Sequence, residues 1–459
     1  MPYSTPIPYT RKSSDYYAAL AELPWAMWLD SGGRGRYDIL VAQPVATLIS
    51  HGNFTTTRDA KGQRISTEDP FDLLREHIGA PVPSMAGIPF CGGAMGYWGY
   101  DLARRRVNPT KPPQIDTNVP DMAIGIYDWA VLIDHQEREA RLVSRMRMPE
   151  TANILPDILA RLQKNQAKSK SEFRVTGGVS SNFSRVEYEA AFAKIREYLL
   201  AGDCYQVNLA QRFTADAVGD GFAAYLTLRE INPAPYSAFL DLPQVQILSV
   251  SPERFLAVRD GKVETKPIKG TRQRGINAEA DARLIEDLRS NDKDRAENLM
   301  IVDLLRNDLG KNCTAGSVQV QKLFEIESYA NVHHLVSTIT GKLKSGKDAL
   351  SLLRDSFPGG SITGAPKIRA MEIIEELEPQ QRGIYCGAIG YVGWDGNMDT
   401  NIAIRTMIYA EGKIHCSAGG GIVADSNAAD EYRETLDKAA GMLKLLERYG
   451  GKTPPGNTP

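Results

Sequence analysis

Arg254-Phe255-Leu256-Ala257-Val258-Arg259-Asp260-Gly261-Lys262-Val263-Glu264-Thr265-Lys266-Pro267-Ile268-Lys269-Gly270-Thr271 sets two short strand-like runs on either side of an Asp-Gly pair. Asp-Gly between such runs is the signal of a tight antiparallel hairpin. Pro267 fixes its own backbone angle and lacks a ladder donor, so regular pairing is expected to stop about there. Gly270 allows a sharp turn or a close backbone approach directly after Lys269. Lys269 is therefore expected on a stiff, turned support, with Lys266, Arg272 and Arg274 around it. Positive neighbours and partial burial favour a neutral amine, the form that acts as a nucleophile. From these residues alone, a solvated basic loop is the competing reading.

The same antiparallel grammar recurs outward from this hairpin. Asp395-Gly396 joins strand candidates 385–394 and 397–409, and further strands are expected at 237–242, 246–251 and 318–326. Residues 205–213 alternate at period two, which places Gln206 and Asn208 on one face as a polar row. Upstream, 39–42, 122–127 and 130–133 are strand candidates, and the glycine-rich stretch 90–97 suits closely packed backbone in a sheet. Ser184 and Glu187 form a capping box that opens a helix to about Ala201. Helices are also expected over 278–290, 293–309, 347–356 and 428–448, and after the loop 357–367, with Pro366 in its first turn. Strand pairs joined by tight turns, with no regular βαβ array, predict an α+β fold with largely antiparallel sheets. Residues 1–165 form an N-terminal region, 166–184 a surface connection, 185–450 the motif-rich region and 451–459 a disordered tail.

A chain of 459 residues, 42% hydrophobic and 24% charged with net charge -2, has enough apolar content for a large core. Its bulk charge points to neither a nucleic-acid nor a membrane partner. No stretch is apolar enough to span a bilayer and the start does not read as a signal peptide. Cys91, Cys204, Cys313, Cys386 and Cys416 are scattered, without a CxxC pair, as expected of reduced thiols in a cytoplasmic protein.

Acidic side chains recur in the helical segments. Glu431, Glu434 and Lys438 fall on one face of the last helix, and Glu297 neighbours the apolar face of 293–309. Taken alone, each reads as readily as a solvated face. Read together, Ser251–Phe255, Pro267–Thr271, Asp294–Asp303, Phe357–Lys367, Ile404–Thr406 and Gly419–Ser426 resemble, in order, the motifs of the chorismate-utilising enzymes. The resemblance covers nearly the whole chain. It implies two intertwined lobes whose antiparallel sheets form a sandwich, helices outside, and an active site in a cleft of the core.

Within that family, anthranilate synthases read PIAGT where this chain reads PIKGT, and isochorismate and salicylate synthases carry a water-activating lysine at the position matching Gln206. Lys269 and Gln206 thus imply the branch that replaces the C4 hydroxyl of chorismate by ammonia, on the way to p-aminobenzoate and folate. The resemblance assigns Lys269 as nucleophile and Glu253 as general acid/base. It gives Mg2+ to Glu297 and Glu434, with Glu431 acting directly or through water. Substrate contacts are expected from Gln206, Thr271, His334, Tyr391, Arg405, Gly419, Gly420, Gly421 and Lys438, with His333 the weaker histidine.

A tryptophan pocket is implied at Asp30 and Ser31, although Trp28-Leu29-Asp30-Ser31 departs from the Leu-Leu-Glu-Ser form of feedback-inhibited relatives. No cysteine lies in a Gly-x-Cys-x-Gly elbow, so a separate glutamine amidotransferase subunit is the implied partner and ammonia source. Two alternatives are an anthranilate synthase component and a non-catalytic aromatic-metabolite sensor.

Overall fold

A computed structural model of the chain describes residues 2–10, 12–106, 117–164, 172–329 and 332–452. Two large sheets organise them. One runs from Tyr3–Ile7 through Glu139–Ser144, Trp129–Asp134, Tyr37–Val41 and Met27–Asp30. It then enters the later half of the chain at Tyr236–Leu242 and continues through Val245–Ser251, Thr406–Ala410 and Lys413–Ile422 to Gln206–Val218. The other runs from Ile268–Gln273 through Val332–Lys342, Lys262–Thr265, Arg254–Arg259, Met398–Ile402 and Ala388–Gly393, then into Gly93–Trp98, Met122–Tyr127 and Ala46–His51. Pairing along both is antiparallel, and early and late strands meet at Ala238↔Leu29 in the first and Gly390↔Gly96 in the second.

Strand alternation sorts the side chains into layers. Met27, Ile39, Val41, Met95, Tyr97 and Ile389 share one apolar layer between the sheets. Their neighbours Trp28 and Leu40 face the helices outside the first sheet, and Ala94 and Trp98 those outside the second. The expected α+β sandwich with helices outside is the fold observed. Among the described residues, no helix is long and apolar enough to cross a membrane.

The hairpin forms as read, with Arg259↔Lys262 in register and positive φ at Asp260 and Gly261. Pairing does not stop at Pro267, however. Ile268 pairs with Val336 and Thr271 with His334, so Lys269 and Gly270 together oppose Leu335 in a bulge. Gly270 has φ +78°, and a β-carbon there would stand 2.8 Å from Leu288 Cδ1 and 2.9 Å from Asp294 Cγ. The bulge aims Lys269, and only glycine fits beside it.

The single strand expected over 397–409 is two strands in different sheets. Met398–Ile402 pairs with Ala388–Gly393, whereas Thr406–Ala410 pairs with Val245–Ser251. The chain crosses between sheets at 403–405, where Arg405 has φ +51°. The apolar run Ile402-Ala403-Ile404 carries no turn chemistry, so the crossing leaves no mark in the sequence. Helices Ser13–Leu20, Pro70–Ile78, Thr151–Gln163 and Gly221–Ile231 were also not foreseen. Pro366 lies just before the helix Lys367–Leu377, with extended backbone, and not inside its first turn. In the 166–184 connection, Arg174–Val175 and Ser180–Ser181 pair with the Gln206–Val218 strand, while 165–171 lie outside the described residues. Of the tail expected at 451–459, Lys452 bridges Gly178, and 453–459 lie outside the described residues.

Candidate active site

The bulge, the start of the Asp292–Gly310 helix, the sheet crossing at Arg405 and the C-terminal helix Ala428–Arg448 enclose a cleft of about 820 Å3. Lys269, Glu253, Glu297, Glu434, Arg405 and His334 all line it.

Lys269 makes no hydrogen bond or ion pair among the described residues, and the charges it acts on are the carboxyls of Glu253, Glu297 and Glu434. Of the three cations expected around it, Lys266 and Arg274 do not line the cleft, and Arg272, which does, is held by acidic partners. Lys266 bonds Glu327, Arg272 binds Asp287 at 2.5 Å and Asp294 at 3.0 Å, and Arg274 binds Asp281 at 2.8 Å. Adjacency in sequence is not adjacency in space along a pleated strand. Glu253 is buried, and burial pushes its pKa up to about 7 against the Ser361 hydroxyl, which donates to Oε1 at 2.9 Å, and against the Lys269 charge. A carboxyl poised there can both give and take a proton near neutrality.

Two helices bring the carboxylates together. Burial raises the pKa of Glu297 and of Glu431, and the Glu434 charge adds to both shifts. Burial also acts on Glu434, but Lys438, four residues on with its Nζ 2.5 Å from Oε1, holds it below its ordinary value. Glu431 Oε1 accepts from Ser426 at 2.6 Å, while its buried Oε2 has no partner. A β-carbon on Gly420 would stand 2.7 Å from that orphaned oxygen. Among the described residues no three metal-ligating side chains already converge on a point. The donor set is nevertheless all oxygen, mutually repelling and partly orphaned, which fits a hard cation such as Mg2+ completing its shell with substrate or water.

Opposite the carboxylates, burial lowers His334 to about 4, with the Arg405 charge second, so its ring is neutral at neutral pH. Its Nδ1 lies 2.9 Å from the Thr271 hydroxyl. His333 turns the other way, towards Asp281 and Ser328. The Arg405 guanidinium has no hydrogen-bond or ion-pair partner among the described residues; burial lowers its pKa and Tyr385 and Glu434 oppose that. Pairing of Lys413–Ile422 with Thr406–Ala410 ends at Cys416, so the edge at Gly419 and Gly421 faces the cleft without a strand partner there. Lys438 also donates to the Gly419 carbonyl at 3.0 Å.

Three expected contacts fall elsewhere. Tyr391 lies in the layer between the sheets, with its hydroxyl taken by Arg259. Gln206 is buried behind Gly421, to one side of the cleft lining, with Oε1 unpartnered. Gly420 faces Glu431 and does not line the cleft. Conversely, Tyr385, Ser361 and Lys293 line the cleft and were missed, while Asn208 lines it as the polar row suggested. Tyr385 and Ser361 lie outside regular strand or helix periodicity, so only the resemblance could have marked them.

Asp30 and Ser31 line a second cavity of about 470 Å3, with Tyr391 and Arg259. The Asp30 carboxylate is saturated by Tyr225 at 2.7 Å, by the Gly32 amide at 2.7 Å and by Arg229. The Ser31 hydroxyl is buried without a partner.

Two interleaved antiparallel sheets thus meet at a cleft that brings together a lysine on a bulge, a guanidinium without a partner among the described residues and a cluster of carboxylates. A family profile described as chorismate binding enzyme matches residues 25–444, and the chain belongs to that family. It is 48% identical over 450 residues to aminodeoxychorismate synthase component 1 of Klebsiella aerogenes, covering 96% of this chain and 98% of that one. It is 39% identical over 462 residues to anthranilate synthase component 1 of Pseudomonas aeruginosa, covering 94% and 92%. Among solved structures, anthranilate synthase component I from Streptococcus pneumoniae TIGR4 superposes with TM-score 0.78 at 34% identity, over 89% of this chain and 92% of that one.

Proposed function

We propose that this chain converts chorismate and ammonia to 4-amino-4-deoxychorismate, supplying p-aminobenzoate for folate. The observation that carries the reading is the unpaired Lys269 amine, aimed by its bulge into the same cleft as Glu253. Relatives named aminodeoxychorismate synthase component 1 at 47–48% identity, against 38–40% for those named anthranilate synthase component 1, support it over the anthranilate alternative.

The Lys269 amine attacks C2 of chorismate, the ring double bonds shift, and the C4–O bond breaks. Glu253 gives its proton to the departing hydroxyl, which leaves as water, and regains one from the new C2 ammonium. Ammonia then attacks C4, the double bonds shift back and the C2–N bond breaks; Glu253 gives its proton to the departing lysine nitrogen and takes one from the new C4 ammonium, so that Lys269 is restored as the amine. Arg405 offers a planar fork to the enolpyruvyl carboxylate beside the free Gly419–Gly421 edge. Neutral His334, oriented by Thr271, contacts the ring without adding charge. Glu297, Glu431 and Glu434 would hold Mg2+, which when bound neutralises and fixes a substrate carboxylate. A glutamine amidotransferase subunit is the proposed ammonia source: the relatives are named component 1, and none of the five buried cysteines of this sequence sits in a glutaminase elbow.

The test is the purified chain with chorismate, Mg2+ and an ammonium salt, products being separated chromatographically. The 4-amino product is expected, and excess chelator should abolish it. Anthranilate as sole product would establish the alternative. Glutamine should replace ammonium only after an amidotransferase subunit is added; its use by the chain alone would exclude that partner.

A further inference from the structure

Behind the cleft, Arg382 is nearly inaccessible, its side chain 2% exposed beside Glu378 at 6%. Its Nε donates to Glu378 Oε2 at 2.9 Å and its Nη2 to Oε1 at 2.6 Å. The remaining donors reach two walls of the cleft. Nη1 donates to the Ile362 carbonyl at 2.9 Å and Nη2 to the Asn208 carbonyl at 2.8 Å, while the guanidinium lies 5.8 Å from the centre of the Tyr385 ring. Ile362, Asn208 and Tyr385 all line the cleft. Ser361, the residue before Ile362, donates to Glu253 Oε1 at 2.9 Å.

We propose that Arg382 is a positioning residue: by fixing the Ile362 carbonyl it holds the Ser361 hydroxyl in place to orient the Glu253 carboxyl. The proposal rests on the acid/base role of Glu253. A buried ion pair adds little net stability compared with apolar side chains of the same volume. This pair instead spends its fork on main-chain carbonyls of the 357–367 loop and of the Gln206–Val218 strand, a geometry that the point charge of a lysine does not reproduce. Glu378 extends the clamp by accepting from the Ala210 amide at 2.9 Å.

The groups that face Glu253 are Ser361, Lys269 from the bulge, Lys438 from the C-terminal helix, the Ile268 amide and the Cys386 thiol. Burial raises its pKa, and the Ser361 hydrogen bond is foremost among the influences that oppose burial. Losing that bond disfavours the ionised form, so the carboxyl should stay protonated to higher pH.

The experiment is the pH profile of kcat with saturating chorismate and ammonium for wild type, Ser361→Ala, Arg382→Lys, the double variant and Glu253→Gln. Wild type should lose activity as pH rises through about 7. Ser361→Ala and Arg382→Lys should each move that limb up by about one unit, with no further movement in the double variant. The plateau kcat of Arg382→Lys should fall about tenfold or more. A folded Arg382→Lys enzyme with its limb at the wild-type position, while Ser361→Ala moves, overturns the proposal. A wild-type profile without the limb, or a limb retained in Glu253→Gln, instead removes the role of Glu253. Should Arg382→Lys not fold, Glu378→Gln must move the limb the same way; an unmoved limb, or failure of that variant to fold as well, leaves Arg382 purely structural and overturns the proposal.

Discussion

Lys269→Ala removes an amine that no neighbour ties down, from a cleft whose carboxylates and Arg405 remain. Chorismate should still bind, while formation of the 4-amino product should fall by more than about a hundredfold, as expected when a nucleophile that divides one hard step into two is lost. Wild-type protein given chorismate without ammonia, then digested for mass spectrometry, should carry an adduct on the Lys269 peptide. A variant working at the wild-type rate would end covalent catalysis. The second prediction at this scale is pH dependence. Glu253, with its pKa pushed up to about 7 by burial, is the required acid below that value, so the ammonia-dependent rate should decline as pH rises through it. The raised pKa also makes its proton a stabilising ligand that is fully effective below about 4.5 and lost as pH rises through about 7. A rate flat from pH 6 to 9 would exclude the assignment. Glu253, Lys269, Glu297, Glu434 and Arg405 were legible because their motifs run in one order. Tyr391 was misread because strand alternation turns it, like Ile389, into the layer between the sheets. Tyr385 precedes that strand, where no periodicity indicates which way a side chain points.

The bulge is the element that aims Lys269, and its glycine is the part that tolerates no replacement. Gly270→Ala would place a β-carbon against Leu288 and Asp294 at φ +78°. That substitution should cost about 1–3 kcal/mol of stability through backbone strain, with more from the displaced neighbours. Because Asp294 pairs with Arg272 across the same turn, the strain should also re-aim Lys269. Denaturant unfolding should show the lower stability, and kcat at a temperature where the variant is fully folded should still fall. An unchanged kcat would separate the bulge from catalysis. The Asp260-Gly261 turn was legible because its chemistry is local. The bulge was not, since it exists only against Leu335, far along the chain. The crossing at Arg405 was hidden for the same reason: its strands look continuous until each finds a different partner sheet.

At the scale of the molecule, the motif-rich region contains every cleft residue yet does not own its scaffold. A fragment beginning at residue 185 would strip Met27–Asp30 from Tyr236–Leu242 and Gly93–Trp98 from Ala388–Gly393. Two central strands would become open edges, templates for pairing with other chains. The layer between the sheets would lose Met27, Ile39, Val41, Met95 and Tyr97, exposing the apolar faces that Leu240, Ile389 and Ile408 present to them. Arg229 and Tyr225 would lose Asp30, the buried carboxylate to which both are bonded. Of the early strands, Tyr37–Val41, Gly93–Trp98, Met122–Tyr127 and Trp129–Asp134 were legible from their apolar runs, whereas Tyr3–Ile7, Met27–Asp30, Ala46–His51 and Glu139–Ser144 were not. The register by which early and late strands share both sheets was hidden because it depends on pairings such as Leu29 with Ala238 across the length of the chain. Such a fragment should therefore aggregate or remain unfolded, with no chorismate turnover, and should recover both structure and turnover when residues 1–184 are co-expressed with it. Circular dichroism, size exclusion and the ammonia assay on the fragment alone test this directly. A monomeric, cooperatively unfolding fragment that turns over chorismate would show that the two halves are separable after all.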